Sequence, residues 1–196
     1  MKILPVKLIA ISCALFLLAS FQYKKDIIID KPEAQKAFVL LNEIRNNPII
    51  YHKELRFPKN TKPSSVKLKW NDKLAKVAEA KVLDMATRNY FGHVDPDGYG
   101  INHFINKSGY TLNSTWLKEK KNNYFESLTV NSNGGEEAVK NLIIDATTPS
   151  LGHRKHLLGL DDWNASLTDI GIGFARRQTG SKFKTYTCII IAKHDW

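Results

Sequence analysis

Cysteine is scarce in this 196-residue chain: Cys13 and Cys188 are the only two. Cys13 lies in an apolar N-terminal stretch that export would remove, so no intramolecular disulfide is expected in the mature protein. Cys188 sits in Thr187-Cys188-Ile189-Ile190-Ile191, a β-branched apolar run that predicts a buried, inert thiol; a reactive one needs a polarised, partly exposed setting. No Gly-x-Ser-x-Gly and no His-Glu-x-x-His occurs, so the usual serine esterase and zinc protease routes lack support. Glycine is also sparse, 11 residues without a fixed period, which excludes collagen-like and repeat architectures. No stretch rich in Pro, Gly or Ser divides the chain. Hydrophobic residues at 43% and charged residues at 24% exclude wholesale disorder.

Acidic residues are outnumbered, 19 against 29 basic ones. Without Lys2 and Lys7 the remainder still carries a formal charge of +8, which favours anionic partners such as acidic glycans or phospholipid surfaces. Nucleic acid is not expected, because the basic residues are dispersed, with only Lys118-Glu119-Lys120-Lys121 clustered, and lack interleaved stacking aromatics.

The N-terminus has the layout of a secretory signal peptide: Lys2 and Lys7, an apolar run from Leu8 to Ala19, then Gln22, Lys24 and Lys25. That run is shorter than the roughly 20 residues a membrane span needs. Residues 1–22 are therefore read as a leader, cleaved between Ser20 and Lys24, and residues 23–196 as one domain. An uncleaved membrane anchor is the alternative; a lipid anchor at Cys13 is disfavoured because the apolar run continues six residues beyond it. The expected location is secreted or periplasmic.

In the mature part, Ala34, Ala37, Phe38, Leu41 and Ile44 recur at helical spacing until Asn46-Asn47-Pro48. Asn71 is the predicted N-cap of a second helix with Leu74, Val77, Ala78, Val82 and Met85 on one face, and Lys73, Lys76, Lys81 and Arg88 on its other sides. A short helix over 101–110, an exposed loop over 112–124, a strand over 126–130 and a helix over 136–146 follow. Ser150 is the expected cap of a brief helix closed by Gly159. Strands over 169–175 and 184–192 form a hairpin. Helices first and paired strands last predict an α+β fold with an antiparallel sheet.

Six ordered segments carry a resemblance: Leu41-Asn42-Glu43-Ile44-Arg45, Leu68 to Leu74, Gly92-His93-Val94-Asp95-Pro96-Asp97-Gly98, Glu126-Ser127-Leu128, Pro149-Ser150-Leu151-Gly152-His153-Arg154, and Ile170-Gly171-Ile172-Gly173-Phe174-Ala175. Over residues 36 to 192 the chain resembles the CAP superfamily (cysteine-rich secretory protein, antigen 5, pathogenesis-related 1), in particular its bacterial SCP-like extracellular branch. The resemblance implies an α-β-α sandwich around an antiparallel sheet, secretion, and a cleft of two histidines and two acidic residues that binds a divalent metal in some members. Matched by motif, His93 and His153 are the histidines and Glu126 the first acidic residue. Its triplet reads Phe125-Glu126-Ser127 where the family has Gly-Glu-Asn. Asp145 is the nearest candidate for the fourth position.

Two imidazoles and a carboxylate suit zinc or a similar ion, so His93, His153 and Glu126 are the candidate ligands, with no cofactor otherwise expected. His153 falls in the first turn of a helix, where the dipole disfavours imidazolium and so favours the neutral ring a metal requires. Arg154 either takes an anion beside the cleft or pairs with a carboxylate. Asp95-Pro96-Asp97-Gly98 reads as a tight turn, since a calcium loop would carry a distal glutamate. His52, His103, His156 and His194 fit no ligand spacing and are assigned surface or structural roles. The expected function is a monomeric binding or effector module for a lipid, glycan or protein ligand. The alternative is a hydrolase using His93, Glu126 and His153 with a metal or an activated water.

Overall fold

The computed structural model describes residues 26–194; the leader expected over residues 1–22 lies outside them. Strand β1 (Ile27–Ile29) precedes helix α1 (Lys31–Asn46). Asp30 caps α1 by accepting the Glu33 N–H at 3.3 Å, and Pro32 sits in the first turn, where a missing N–H breaks no helical bond. A one-turn helix α2 (Pro48–Tyr51) follows. After an irregular connection, β2 (Lys69–Trp70) leads into α3 (Asp72–Arg88). Asn71 is its cap: Oδ1 accepts the N–H groups of Lys73 and Leu74 at 3.0 and 3.2 Å. Asn89, with φ 55°, closes it in the left-handed region, which Asn tolerates better than most residues. Then come α4 (Ile101–Lys107), β3 (Glu126–Val130), α5 (Gly135–Ile144), α6 (Gly152–Leu158), α7 (Asp162–Ala165), β4 (Asp169–Arg177) and β5 (Thr185–Ala192).

The sheet runs β1-β4-β5-β3 with antiparallel neighbours, and β2 pairs in parallel with the start of β4. The β4–β5 hairpin agrees with the sequence reading, whereas β1 and β2 add to it. Three and two residues are too few to show an alternating pattern; they become strands because β4 offers them a free edge. Helix α3 packs on β4 and β5, while α1 packs on β4 and on α5, and α6 on α5 and β3. The result is an α-β-α sandwich.

Glycine has a specific task in this packing. A Cβ on Gly171 would fall among backbone atoms of Leu74 and Ala75, and one on Gly173 among those of Ala78. The alternating Gly-Ile-Gly of β4 therefore lets the α3 backbone rest directly on the strand, while Ile170, Ile172 and Phe174 are buried.

Three local expectations change. Lys81, placed by helical spacing among the outward lysines, is 5% exposed. The segment 112–124 holds a 3-10 turn over Ser114–Leu117, and Trp116 meets Phe125 and Trp163 edge-on, each at 5.4 Å. Ser150 does not cap α6; Leu151 occupies that position with φ 52° and no side-chain cap bond.

Leu41, Ile44, Met85 and Ile189 to Ile191 are all wholly buried. Leu41→Ala is expected to lower stability by roughly 2–5 kcal/mol, as large-to-small core changes do, and Gly173→Ala by at least about 1–3 kcal/mol through overpacking. Denaturant melts check both; losses below about 1 kcal/mol would mean that these faces are not core.

Candidate functional site

Two histidines are presented to one recess by different elements. His93 lies on the loop after α3. Lys81, on α3, donates to the His93 carbonyl at 3.2 Å and to the Tyr90 hydroxyl at 3.3 Å, and Tyr90 donates to Asp84 at 2.6 Å. Burial, with the Asp84 hydrogen bond, holds the Tyr90 phenol far above its ordinary range. Beyond His93 the chain reverses in the predicted tight turn: Gly98, with φ 86°, donates to the Asp95 carbonyl at 2.9 Å, and Asp95 Oδ1 accepts the N–H groups of Asp97 and Tyr99. Arg88 binds Asp84 through two nitrogens and Asp97 at 2.7 Å. The loop is thus pinned on both sides of His93.

Glu126 opens β3 opposite Ile190 of β5. Its Oε2 faces His93 Nδ1 at 2.9 Å, and its Oε1 accepts a 3.5 Å contact from Cys188 Sγ. The Glu126 side chain is wholly buried and the His93 ring 44% exposed. Burial, followed by the neighbouring Glu126 charge, pushes the Cys188 thiol far up, which keeps it a thiol.

The second pair repeats the first. Asp145 ends α5 in a left-handed conformation, φ 51°. From there its Oδ1 meets His153 Nδ1 at 2.8 Å, and its Oδ2 accepts the N–H groups of His153 and Arg154 at 3.0 and 3.3 Å. Asp145 thereby supplies the cap that Ser150 does not. Burial pushes the Asp145 carboxyl up, but hydrogen bonds from His153 and Thr148, the His153 charge and the Arg154 N–H outweigh it, and the net shift is downward.

An ionised carboxylate can only accept, so a neutral ring paired with one carries its proton on Nδ1 and keeps a lone pair on Nε2. Neither Nε2 has a hydrogen-bond partner among the described residues. His93, His153 and Thr148 line two adjoining recesses of about 410 and 260 Å³; Asp145 lines the first, and Glu126, Ser127 and His156 the second. The structure thus brings His93, Glu126, Asp145 and His153 together. Arg154 is turned away: Nε donates to the Ile143 carbonyl at 2.6 Å and Nη2 to that of Ile144 at 2.8 Å. Among the described residues no carboxylate pairs with its guanidinium, which is taken by the open carbonyls at the end of α5.

Among the described residues, no three His, Cys, Asp or Glu side chains form a group able to hold a metal ion. Glu126, expected as a ligand, has both oxygens turned to protein atoms. The donor set that faces the recess is two imidazole nitrogens. His156, assigned a structural role by its sequence, lies at the base of the recess. Its Nδ1 meets Ser127 Oγ at 2.7 Å and its Nε2 the Ile191 carbonyl at 3.4 Å. Burial chiefly, with the charges of His153 and Arg45, lowers it to about 4. One signal was available: His156 follows His153 by three residues, one helical turn, so both rings share a face.

Asp145→Asn keeps a residue suited to the left-handed backbone and removes the charge. Since folding depresses this carboxyl, its contribution is present above the ordinary aspartate value of about 4 and vanishes as pH falls through the folded value. The variant is expected to lose roughly 1–3 kcal/mol at pH 7 and to converge on the wild type in acid. Urea melts across pH would contradict this by showing a constant difference.

A family model for the CAP domain of the Cysteine-rich secretory protein family matches residues 40–190. An extracellular protein containing an SCP domain from Bacillus anthracis str. Ames is similar in structure, with TM-score 0.52 and 22% identity over 84% of this chain and 41% of that one. This chain thus spans less than half of that protein. An outer surface protein from Borrelia burgdorferi is similar with TM-score 0.51 and 18% identity over 85% of this chain and 97% of that one. Identities this low speak for the fold alone. No curated protein matches. On a family match that runs from α1 into β5, the chain belongs to the CAP family of cysteine-rich secretory proteins.

Proposed function

We propose that this protein is an extracytoplasmic CAP-domain binding module whose recess takes its ligand on the Nε2 atoms of His93 and His153. One observation carries the reading: two part-exposed imidazoles, each paired with a buried carboxylate, face the same recess with nitrogens that have no partner among the described residues. A carboxylate behind the ring fixes its tautomer and raises the basicity of the outer nitrogen, the arrangement found behind metal-bound histidines. Zinc or a similar divalent ion suits such donors, with Glu126 and Asp145 as orienting groups and the remaining positions left to water or to oxygens of the ligand. Bound there, the ion would supply a Lewis-acidic anchor for an anionic or carbonyl-bearing group.

The apolar run and lysines of residues 1–22 support the location outside the cytoplasm. The two similar structures are described as an extracellular and an outer surface protein, and no helix among the described residues is long and apolar enough to cross a membrane. The ligand is a lipid, glycan or protein, with the basic balance favouring an anionic one. Hydrolysis by the same recess is less well supported. That alternative would use His93, Glu126 and His153 with a metal or an activated water, and Glu126 has both oxygens engaged, by His93 Nδ1 and Cys188 Sγ, leaving it poorly placed to take a proton from a water in the recess.

Calorimetry with zinc on the wild type, His93→Ala and His153→Ala tests the proposal. Binding is expected in the wild type, to weaken at least about tenfold in either variant, and to weaken on acidification, because proton and metal compete for the same nitrogens. Equal affinity in all three proteins would overturn it. Metal-dependent turnover of an ester or amide, lost with either histidine, would favour the hydrolase.

A further inference from the structure

Three arginines are buried, and two of them are satisfied by backbone carbonyls. Arg154 reaches Ile143 and Ile144, and Arg177 reaches Thr179 and Ala86. Arg45, in the last turn of α1, is 5% exposed, and its Nε, Nη1 and Nη2 all lack a hydrogen-bond partner among the described residues. No described carboxylate forms an ion pair with it. A buried charge without a counter-charge or acceptor is among the costliest arrangements in a protein interior. Burial alone pulls this guanidinium down to about 10, with no opposing neighbour.

Arg45 borders a cavity of about 350 Å³ whose wall includes Asn46, Asn47, Ser64, Ser65 and Lys67. The side chains of Asn46, Asn47, Ser65 and Lys67 are exposed at its mouth and make no hydrogen bond or ion pair with another described residue. The cavity's carboxylate, Glu43, already holds the Tyr51 hydroxyl. The chain also reserves room for the guanidinium: a Cβ on Gly159 would meet Arg45 Nη2 at 2.5 Å and Ser64 Cβ at 2.8 Å. None of the four residues of the histidine recess lines this space.

We propose that this chamber is a second site, for a small oxyanion of the phosphate or carboxylate class, held by the Arg45 fork with Lys67 and the hydroxyl and amide groups around it. A guanidinium offers five N–H donors in a plane that matches two oxygens at once. Lys67 adds charge, and the neutral side chains add donors. The three nitrogens are closed off from solvent, so binding requires the Ser64-Ser65 segment, which carries no regular element, to give way.

The test is a titration of the wild-type protein with inorganic phosphate, and separately with acetate, up to ~50 mM at constant ionic strength, following the arginine Nε–H signals by proton–nitrogen NMR. Absence of one signal in Arg45→Lys assigns it. The Arg45 signal is expected to move saturably while that of Arg154, held by a carbonyl, stays fixed. Arg45→Lys should bind at least about fivefold more weakly, since it keeps the charge and loses the fork. Saturation by phosphate alone assigns a tetrahedral anion, and by both probes a general oxyanion site. An Arg45 signal unmoved by either probe would overturn the proposal, since the guanidinium would then have an internal partner. Equal thermal stabilisation of wild type and Arg45→Met by phosphate would do the same.

Discussion

The distance between α3 and the sheet governs the rest of the molecule. Gly171 and Gly173 permit the α3 backbone to lie on β4 where any Cβ would hold it off. With α3 at that height, Lys81 is buried and its ammonium meets the His93 carbonyl. It also bears on Cys188 of β5, whose thiol it pulls down against the larger effect of burial. A buried ammonium costs desolvation unless hydrogen-bonded, and here the loop carrying His93 supplies the acceptors. Helix packing and loop position are therefore one contact seen from two sides.

The two imidazole–carboxylate pairs solve the same problem from opposite ends of the site. Glu126 comes from a strand that the sheet register fixes against β5. Asp145 comes from a helix end held in a left-handed conformation and doubles as the cap of the next helix. In both, the acid is buried and the ring part-exposed, so the carboxylate is shielded from water while the imidazole is open to the recess. The sandwich supplies rigidity on the acid side, and the recess supplies access on the imidazole side.

Much of this was legible in the sequence, for identifiable reasons. The 3.6-residue spacing of Ala34 to Ile44 and the cap at Asn71 are local signals, and the structure agrees with them. His93, Glu126 and His153 stand in ordered motifs. Asp145 could be named only as the nearest acid, because its role depends on a φ of 51° at a helix end. Arg154 and Lys81 read differently in the sequence because their acceptors are backbone carbonyls, which leave no trace in residue identity. Strand β1 was hidden beside the leader, and β2 in a connection, since each exists through pairing with β4.

The central claim is that buried carboxylates hold both rings with the proton on Nδ1 and the outer nitrogen bare. Long-range proton–nitrogen NMR on the imidazoles reads this directly at a pH where the rings are neutral. The account predicts the Nδ1–H tautomer for both His93 and His153, with Glu126→Gln disturbing His93 alone. Predominant Nε2–H, the form favoured by free histidine, at either ring would contradict it.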